Sequence, residues 1–399
     1  MVASSPKATG SKSATIAKPL KRKLSIDGPA QQKRTKLIDL YLDEDYSPSG
    51  TSKTKNDESK YRKRQKVSPW ALGVRERRAL ASKLQQERCQ MPNSARRGMA
   101  NLTGSLCYRN SLLQVLMHQA KLVAWLQVYH QPENCLADDS AKCVSCCLRH
   151  LSTVYWQASG KQELTEALKR VHILFKTLGW SSDVSSGHAD PDEQAGWLFN
   201  QIRSELPTSL STYLDSVQSF ATTSVIKCRR CGHESRTESQ ERSFSVPIQP
   251  AIQGGTLAKY LQAYLVETIE GYRCEKCDNK SPKTRWHEIG HAPDILTVQL
   301  KRFNWDGRKI SRSIPIDVNL DLSRYQPATS NEDPLHYELL GVIKHSGTSG
   351  FGHYISAAKG PDASWCEFDD SRKSSSNVND ARSGRSSFTP YILFYQRKD

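Results

Sequence analysis

No stretch of this chain approaches the roughly 18 consecutive apolar residues that a membrane-spanning helix needs. The opening Met1-Val-Ala-Ser-Ser-Pro-Lys7 also lacks the apolar core of a secretory leader. The expectation is a soluble intracellular protein with no membrane partner. Hydrophobic residues are scarce for a chain folded throughout, 37% of 399, so part of it should not fold. No internal repeat is present, which excludes a solenoid. Acidic residues are what the first quarter lacks: residues 1–97 hold 23 Lys and Arg against 9 Asp and Glu, whereas the remainder holds 34 against 32. Nearly all of the net charge of +16 therefore belongs to the N-terminal arm, and a strongly basic catalytic surface is not expected.

Residues 1–95 read as a disordered basic tail, rich in Ser, Lys, Pro and Gly and poor in aromatics, because such a composition cannot bury enough apolar surface to offset chain entropy. Lys18 to Lys23 and Lys33 to Lys36 have the paired spacing of a bipartite nuclear import signal, with Lys60 to Lys66 as a further cluster. An import receptor or nucleic acid is the partner expected for the tail, and the nucleus, with the cytoplasm as second compartment, its address. Between the clusters, the aliphatic run Leu37 to Leu42, followed by acids, resembles a SUMO-interacting motif, which would bind by adding a strand to a sheet edge. Val74 to Cys89 has helix-forming composition.

From residue 96 to 399 the chain changes character. Helical periodicity runs through Ser111–Val128, Leu148–Ala158, Leu164–Leu178 and Glu193–Leu206. Strand-like windows follow at Ser224–Lys227, Ile295–Leu300, Tyr337–Ile343, His353–Ala357 and Tyr391–Tyr395. Helices first and strands later predict an α+β domain.

Eleven cysteines in a reducing compartment read as metal ligands or reactive groups before disulfides. Cys107 stands at the start of the first helical pattern, where the positive end of the helix dipole favours a thiolate. A lone cysteine before an apolar helix is usually a small buried hydrophobe. Here Asn110 and Gln114 follow at one and two turns, so that one helix face is expected to line a cleft. Far downstream, His353 lies among Gly347, Gly350 and Gly352, and Asp369 and Asp370 follow Trp365 and Phe368. A thiol, an imidazole and a carboxylate to orient it are the parts of a cysteine protease. Cys228-x-x-Cys231 and Cys274-x-x-Cys277 are two knuckles able to close a tetrahedral zinc site. His130, Cys135, Cys143 and Cys146 form a second candidate, with Cys147 as a substitute ligand.

Gly104 to Gln114, Leu300 to Phe303, Leu320 to Leu322, Tyr337 to Gly347, Gly352 to Tyr354, Trp365 to Asp370 and Tyr391 to Tyr395 together resemble, in order, the boxes of the ubiquitin-specific proteases. The resemblance covers about residues 98–399. It implies a papain-like α+β fold of thumb, palm and fingers, the fingers spanning about residues 222–290 and tipped by a zinc ribbon of Cys228, Cys231, Cys274 and Cys277. It also implies Cys107 as nucleophile, His353 as base and then acid, Asp369 as orienting group and Asp370 as its neighbour. The substrates implied are ubiquitin and ubiquitinated proteins. Asp190 and Glu193, in an altered form of the family's Gln-Gln-Asp box beginning at His188, would hold the arginine-bearing tail of ubiquitin, and both also suit a helix start. Gln114 and Tyr354 would line the substrate groove.

One departure stands out. Where the family places an oxyanion-donating Asn, five residues before the nucleophile, this chain has Leu102; Asn101 is offset by one, and an insertion at Thr103 would restore it. Loss of such a donor costs on the order of 100 to 1000-fold in turnover. A slow enzyme, one whose loop a partner aligns, or a catalytically impaired ubiquitin receptor are the readings this leaves, alongside a protease for a ubiquitin-like modifier. A nucleic-acid reader built from the knuckles is disfavoured, because they lack interleaved aromatics.

Overall fold

The computed structural model describes residues 91–398, apart from 93–95, 129, 131–134, 138, 158–159, 181–188, 206–213, 331–332, 349–350 and 385–386. The basic clusters, the Leu37–Leu42 run, the helix expected at Val74–Cys89, His188 and Gly350 lie outside the described residues. No helix among the described residues is long and apolar enough to cross a membrane.

Helices come first: α1 Cys107–His118, α2 Ala120–Val128, α3 Val144–Trp156, α4 Lys161–Thr177 and α5 Pro191–Ser204. The single helix expected over Ser111–Val128 is two, broken where Gln119 turns extended (ψ 92°). In α4 the buried positions Leu164, Ala167, Leu168, Val171, Leu174 and Phe175 repeat every three to four residues, giving one apolar stripe. In α5 the start is written in side chains: the Asp190 carboxylate accepts from the Asp192 N–H (2.7 Å), Pro191 takes the first helical position, and Asp192 and Glu193 meet the positive dipole end.

Strands follow. A four-stranded antiparallel sheet, ordered β2-β1-β5-β4, is built from β1 Phe220–Lys227, β2 Glu234–Glu241, β4 Val266–Ile269 and β5 Lys283–His291. The larger, eight-stranded sheet is ordered β11-β10-β9-β8-β12-β6-β3, with β7 pairing β8 off that path. Its strands are β3 Ser243–Pro247, β6 Ile295–Lys301, β7 Asn319–Asp321, β8 His336–Gly347, β9 Gly352–Lys359, β10 Trp365–Asp369, β11 Arg372–Ser376 and β12 Thr389–Arg397. Among its described strands only the β3–β6 pair is parallel. Two short helices, α6 Leu257–Leu265 and α7 Val378–Arg382, complete the named elements.

The interval 222–290, read from sequence as one finger-like unit, is divided. β3 joins the large sheet, and Leu257, Tyr260, Leu261 and Leu265 of α6 bury into the core of that sheet with Phe244 and Val298. The strands of the small sheet form a separate hydrogen-bonded sheet, joined to that core through Phe220 and Ile289. β2 there is exposed over most of its length, so this sheet has little apolar core of its own.

The large sheet positions the site. α1 packs on β9, β8 and β10 and is flanked by α2 and α5. Every residue from Cys107 to His118 is buried, so Asn110 and Gln114 do not line an open cleft as expected. Gln114 instead donates its amide to the Tyr155 hydroxyl. The physical reason is that a helix enclosed by a sheet and two helices has no solvent face, and its polar side chains must find internal partners. Gly341 of β8 permits this enclosure: a Cβ there would stand 2.6 Å from the Val115 side chain of α1.

Candidate active site and metal centres

The nucleophile candidate, Cys107, is the first residue of α1, capped by Leu106, whose side chain offers no hydrogen bond to the helix end. No acid lies in the first turn, so the first backbone amides keep their positive field. His353 enters from β9, beside Ser346 of β8, and Asp369 ends β10, two strands from β8. His353 Nε2 meets Asp369 Oδ1 at 2.6 Å, which leaves Nδ1 for the sulfur. The hydrogen bond with Cys107, and then that with Asp369, raises the imidazole from the usual 6.5 to about 9 in spite of desolvation. Residues 107, 353 and 369, remote in sequence, are thus brought together.

Asp370 stands beside this row, a carboxylate oxygen within 4.8 Å of the His353 and Asp369 side-chain atoms, while its hydrogen bonds run elsewhere. It adopts a left-handed conformation (φ 48°) in the β10–β11 turn. Its Oδ2 accepts from Asn101 Nδ2 (3.0 Å) and its Oδ1 from Asn110 Nδ2 (2.7 Å). Asn101 also accepts, through Oδ1, from the Leu106 N–H at 3.1 Å. The side chain one position before Leu102 therefore reaches the start of α1, the intervening loop turning at Gly104 (φ 84°).

A polar cluster joins the start of α5 to β6 and β12. The Tyr391 hydroxyl donates to Asp190 and accepts from Gln299 Nε2 (3.0 Å). Burial pushes the Asp190 carboxyl up to about 6, against the pull of its hydrogen bonds. Tyr354, half-buried, has its phenol pushed up by burial, with the charge of Asp190 adding to it. Its ring lies 4.5 Å from that of His345 and 6.2 Å from that of Tyr391. Glu193 is exposed one residue beyond Asp192, and Asp192 pairs with Arg242 (2.6 Å), fixing the α5 start to the strand pair β2–β3. Neither Tyr391 nor Arg242 was a candidate from sequence. Tyr391 read as a strand aromatic, and nothing local joins it to a carboxylate 201 positions away.

Among the described residues three groups have side chains close enough to hold a metal ion: His353 with Asp369 and Asp370, and two cysteine-rich clusters. Cys228, Cys231, Cys274 and Cys277 lie with their sulfurs within 4.8 Å of one another. The Cys228–Cys277 and Cys231–Cys274 sulfur pairs are each 3.7 Å apart, and a tetrahedron of thiolates about 2.3 Å from a central zinc has edges of about 3.8 Å. Backbone N–H groups of Cys231 and Arg230 point at the Cys228 sulfur and lower its thiol to about 6. At the second cluster, His130 Nε2 is 3.2 Å from Cys146 Sγ and 3.3 Å from Cys143 Sγ, with Cys135 alongside. Cys147 stays out of this group: it is buried one helix position further, and burial raises its thiol to about 12. Glu205, at the C-terminal end of α5, accepts from the Val144 N–H (2.6 Å) and the Ser145 N–H (3.0 Å), so it caps α3 from outside.

A family profile described as ubiquitin carboxyl-terminal hydrolase matches residues 97–395. A Drosophila pseudoobscura pseudoobscura protein named ubiquitin carboxyl-terminal hydrolase 36 is 28% identical over 328 residues, which cover 75% of this chain and 29% of that protein. A Schizosaccharomyces pombe protein named probable ubiquitin carboxyl-terminal hydrolase 16 is 27% identical, with 77% and 68% covered. The chain thus spans less than a third of the Drosophila relative's length. Among solved structures, the SAGA DUB module of Ubp8, Sgf11, Sus1 and Sgf73 shares the fold. The form bound to ubiquitin aldehyde has a TM-score of 0.67 at 21% identity, and the form bound to monoubiquitin 0.66 at 22%, each covering 81% of this chain and 75% of the other.

Proposed function

Because the chain belongs to the ubiquitin carboxyl-terminal hydrolase family, we propose that it is a thiol-dependent deubiquitinase, hydrolysing isopeptide or peptide bonds at the C-terminal glycine of ubiquitin. The observation that carries this reading is the imidazole of His353 held between the Cys107 thiol and the Asp369 carboxylate. Such an assembled row favours an enzyme over a ubiquitin receptor that has lost its chemistry.

The Cys107 sulfur, as thiolate, attacks the glycine carbonyl carbon, and the electron pair moves to oxygen. The first-turn amides of α1 have no intrahelical acceptor and meet the oxyanion, with Asn101 at the same helix start. On collapse the C–N bond breaks, and the leaving amine takes its proton from the His353 imidazolium. His353 then removes a proton from water, which attacks the thioester, releases ubiquitin's carboxylate and restores the thiolate. Asp190 and Glu193 are the acids assigned to the arginine of the ubiquitin tail, with Tyr354 beside the reacting carbonyl.

Zinc is the metal that the four-thiol cluster fits, and His130, Cys135, Cys143 and Cys146 supply a second His-Cys set of the same kind. Zinc bound at either place supplies structural cross-linking rather than catalysis. The paired basic clusters support a nuclear address with import receptor or nucleic acid as partners of the tail, and the Leu37–Leu42 run a SUMO contact.

The test is a ubiquitin probe with an electrophilic C-terminus, set against a SUMO probe. Wild type should form a ubiquitin adduct at Cys107, and Cys107→Ala should form none and turn over no fluorogenic ubiquitin substrate while melting normally. A SUMO adduct alone would transfer the assignment to a ubiquitin-like modifier, and residual turnover by Cys107→Ala would mean another nucleophile.

A further inference from the structure

Four hydrogen bonds close a ring around the nucleophile. The Leu106 N–H donates to Asn101 Oδ1 (3.1 Å), and Asn101 Nδ2 donates to Asp370 Oδ2 (3.0 Å). Asn110 Nδ2 donates to Asp370 Oδ1 (2.7 Å), and the Asn110 N–H returns to the Leu106 carbonyl (2.9 Å). Cys107 lies in the arc between Leu106 and Asn110. Asp370 is the only member on the other side, and it directly follows Asp369 in the turn.

We infer that Asn110 is a positioning residue, whose side-chain amide sets the helix bearing Cys107 in register with the hairpin bearing Asp369 and so with His353. The inference rests on the deubiquitinase reading above. Three features of the ring make it a fixed joint. Both carboxylate oxygens of Asp370 are taken, by two amides from different segments, and hydrogen bonds to a charged acceptor are the stronger kind. The Asp370 carbonyl is also taken, by the Met99 N–H at 2.8 Å, while the Asn110 amide nitrogen meets the Met99 carbonyl at 3.3 Å. The backbone crossing there is tight enough that a Cβ on Gly98 would stand 2.3 Å from the Asp370 oxygen. Asn110 itself is only 5% exposed, so no water can take over its donor role from outside. It does not touch the reacting atoms, and its effect must pass through Asp370. Nucleophile and orienting carboxylate, residues 107 and 369, are 262 positions apart in the chain, and an error of about 1 Å between them is enough to cost roughly 100-fold in rate.

The test uses the full chain. In Asn110→Ala, kcat on a fluorogenic ubiquitin substrate should fall at least tenfold while KM stays within threefold, and the alkaline limb of the pH profile should move to lower pH as the thiolate–imidazolium contact loosens. In an Asp370→Ala background the same substitution should add less than a twofold loss. Asn110→Ser, which keeps a short donor, should recover part of kcat; it also serves as the readable variant if Asn110→Ala fails to fold. A kcat within twofold of wild type, an unmoved alkaline limb, or a full additional loss in the Asp370→Ala background would each overturn the positioning role. Failure of wild type to form a ubiquitin adduct at Cys107 would instead overturn the underlying assignment, and is read from the unsubstituted protein.

Discussion

His353 carries the clearest acid–base consequence. Its protonated form is favoured in the folded protein, first by Cys107 and then by Asp369, which raises it from 6.5 to about 9. For a group raised in this way, the stabilising contribution is complete below about pH 6.5 and is lost as pH rises through about 9. A pH profile of kcat/KM should therefore fall on its alkaline side near pH 9. Asp369→Asn removes a contributor to that shift and leaves a neutral acceptor, so the limb should move down and kcat should fall on the order of 100-fold or more. An unchanged limb in that variant would detach Asp369 from the base.

Packing of α1 on the large sheet depends on a missing side chain. Gly341 faces Val115 so closely that any β-carbon must push the helix off β8. Gly341→Val should destabilise by about 1–3 kcal/mol, the usual cost of overfilling a packed core, read as a lower denaturant midpoint at unchanged slope. The small sheet obeys a different rule. Its ion pairs, Lys227–Glu234 among them (3.0 Å), are largely solvent-exposed and contribute little. With β2 exposed on most positions, cohesion at its tip falls to the four cysteines joining the β1–β2 turn to the segment before β5. Structural zinc supplies on the order of 10 kcal/mol of binding energy to small sites of this kind. Strong chelation, or Cys231→Ser, should abolish hydrogen-exchange protection in β1 and β2 while that in β8 and β12 persists. Equal protection with and without metal would leave the cluster without a structural part.

For the protein taken together, acid should unfold it through buried imidazoles. Burial lowers His118, with the field of Arg96 adding to it, and lowers His345, with Lys309 and His353 adding to it, each to about 4. The unfolded chain titrates both near 6.5, so it binds more protons between pH 6.5 and 4, and stability falls as pH drops through that window. His118, enclosed by Tyr155, Trp156 and Phe368, contributes a loss on the order of 3 kcal/mol. The midpoint of thermal unfolding should therefore decline from pH 6.5 to 4, and His118→Gln should flatten the decline. Charge divides the molecule in another way. With 23 cationic against 9 anionic residues in positions 1–97, polyanion affinity should reside in the tail and drop steeply with salt, whereas residues 98–399, at 34 against 32, should bind polyanions weakly. Comparable, salt-sensitive binding by the isolated domain would contradict this division.

Periodic and local information was sufficient for the helices α3, α4 and α5, for the α5 cap at Asp190, and for the pairing of cysteines within each knuckle, because those features are decided by neighbours a few positions apart. The strands at Phe220, Ile295, His336, Gly352 and Thr389 were legible for the same reason, whereas β2, with Glu, Arg, Thr and Ser in place of apolar alternation, was not. Residue types told that Cys107, His353 and Asp369 could act together. They could not tell that Asn110 and Gln114 face inward, since the burial of a polar side chain depends on what encloses its helix. Nor could they show that Tyr391 holds Asp190 or that Asp370 binds two asparagines. Those contacts arise where the large sheet brings distant strands beneath α1, and a hydrogen bond between chain segments hundreds of residues apart leaves no mark in the order of either segment.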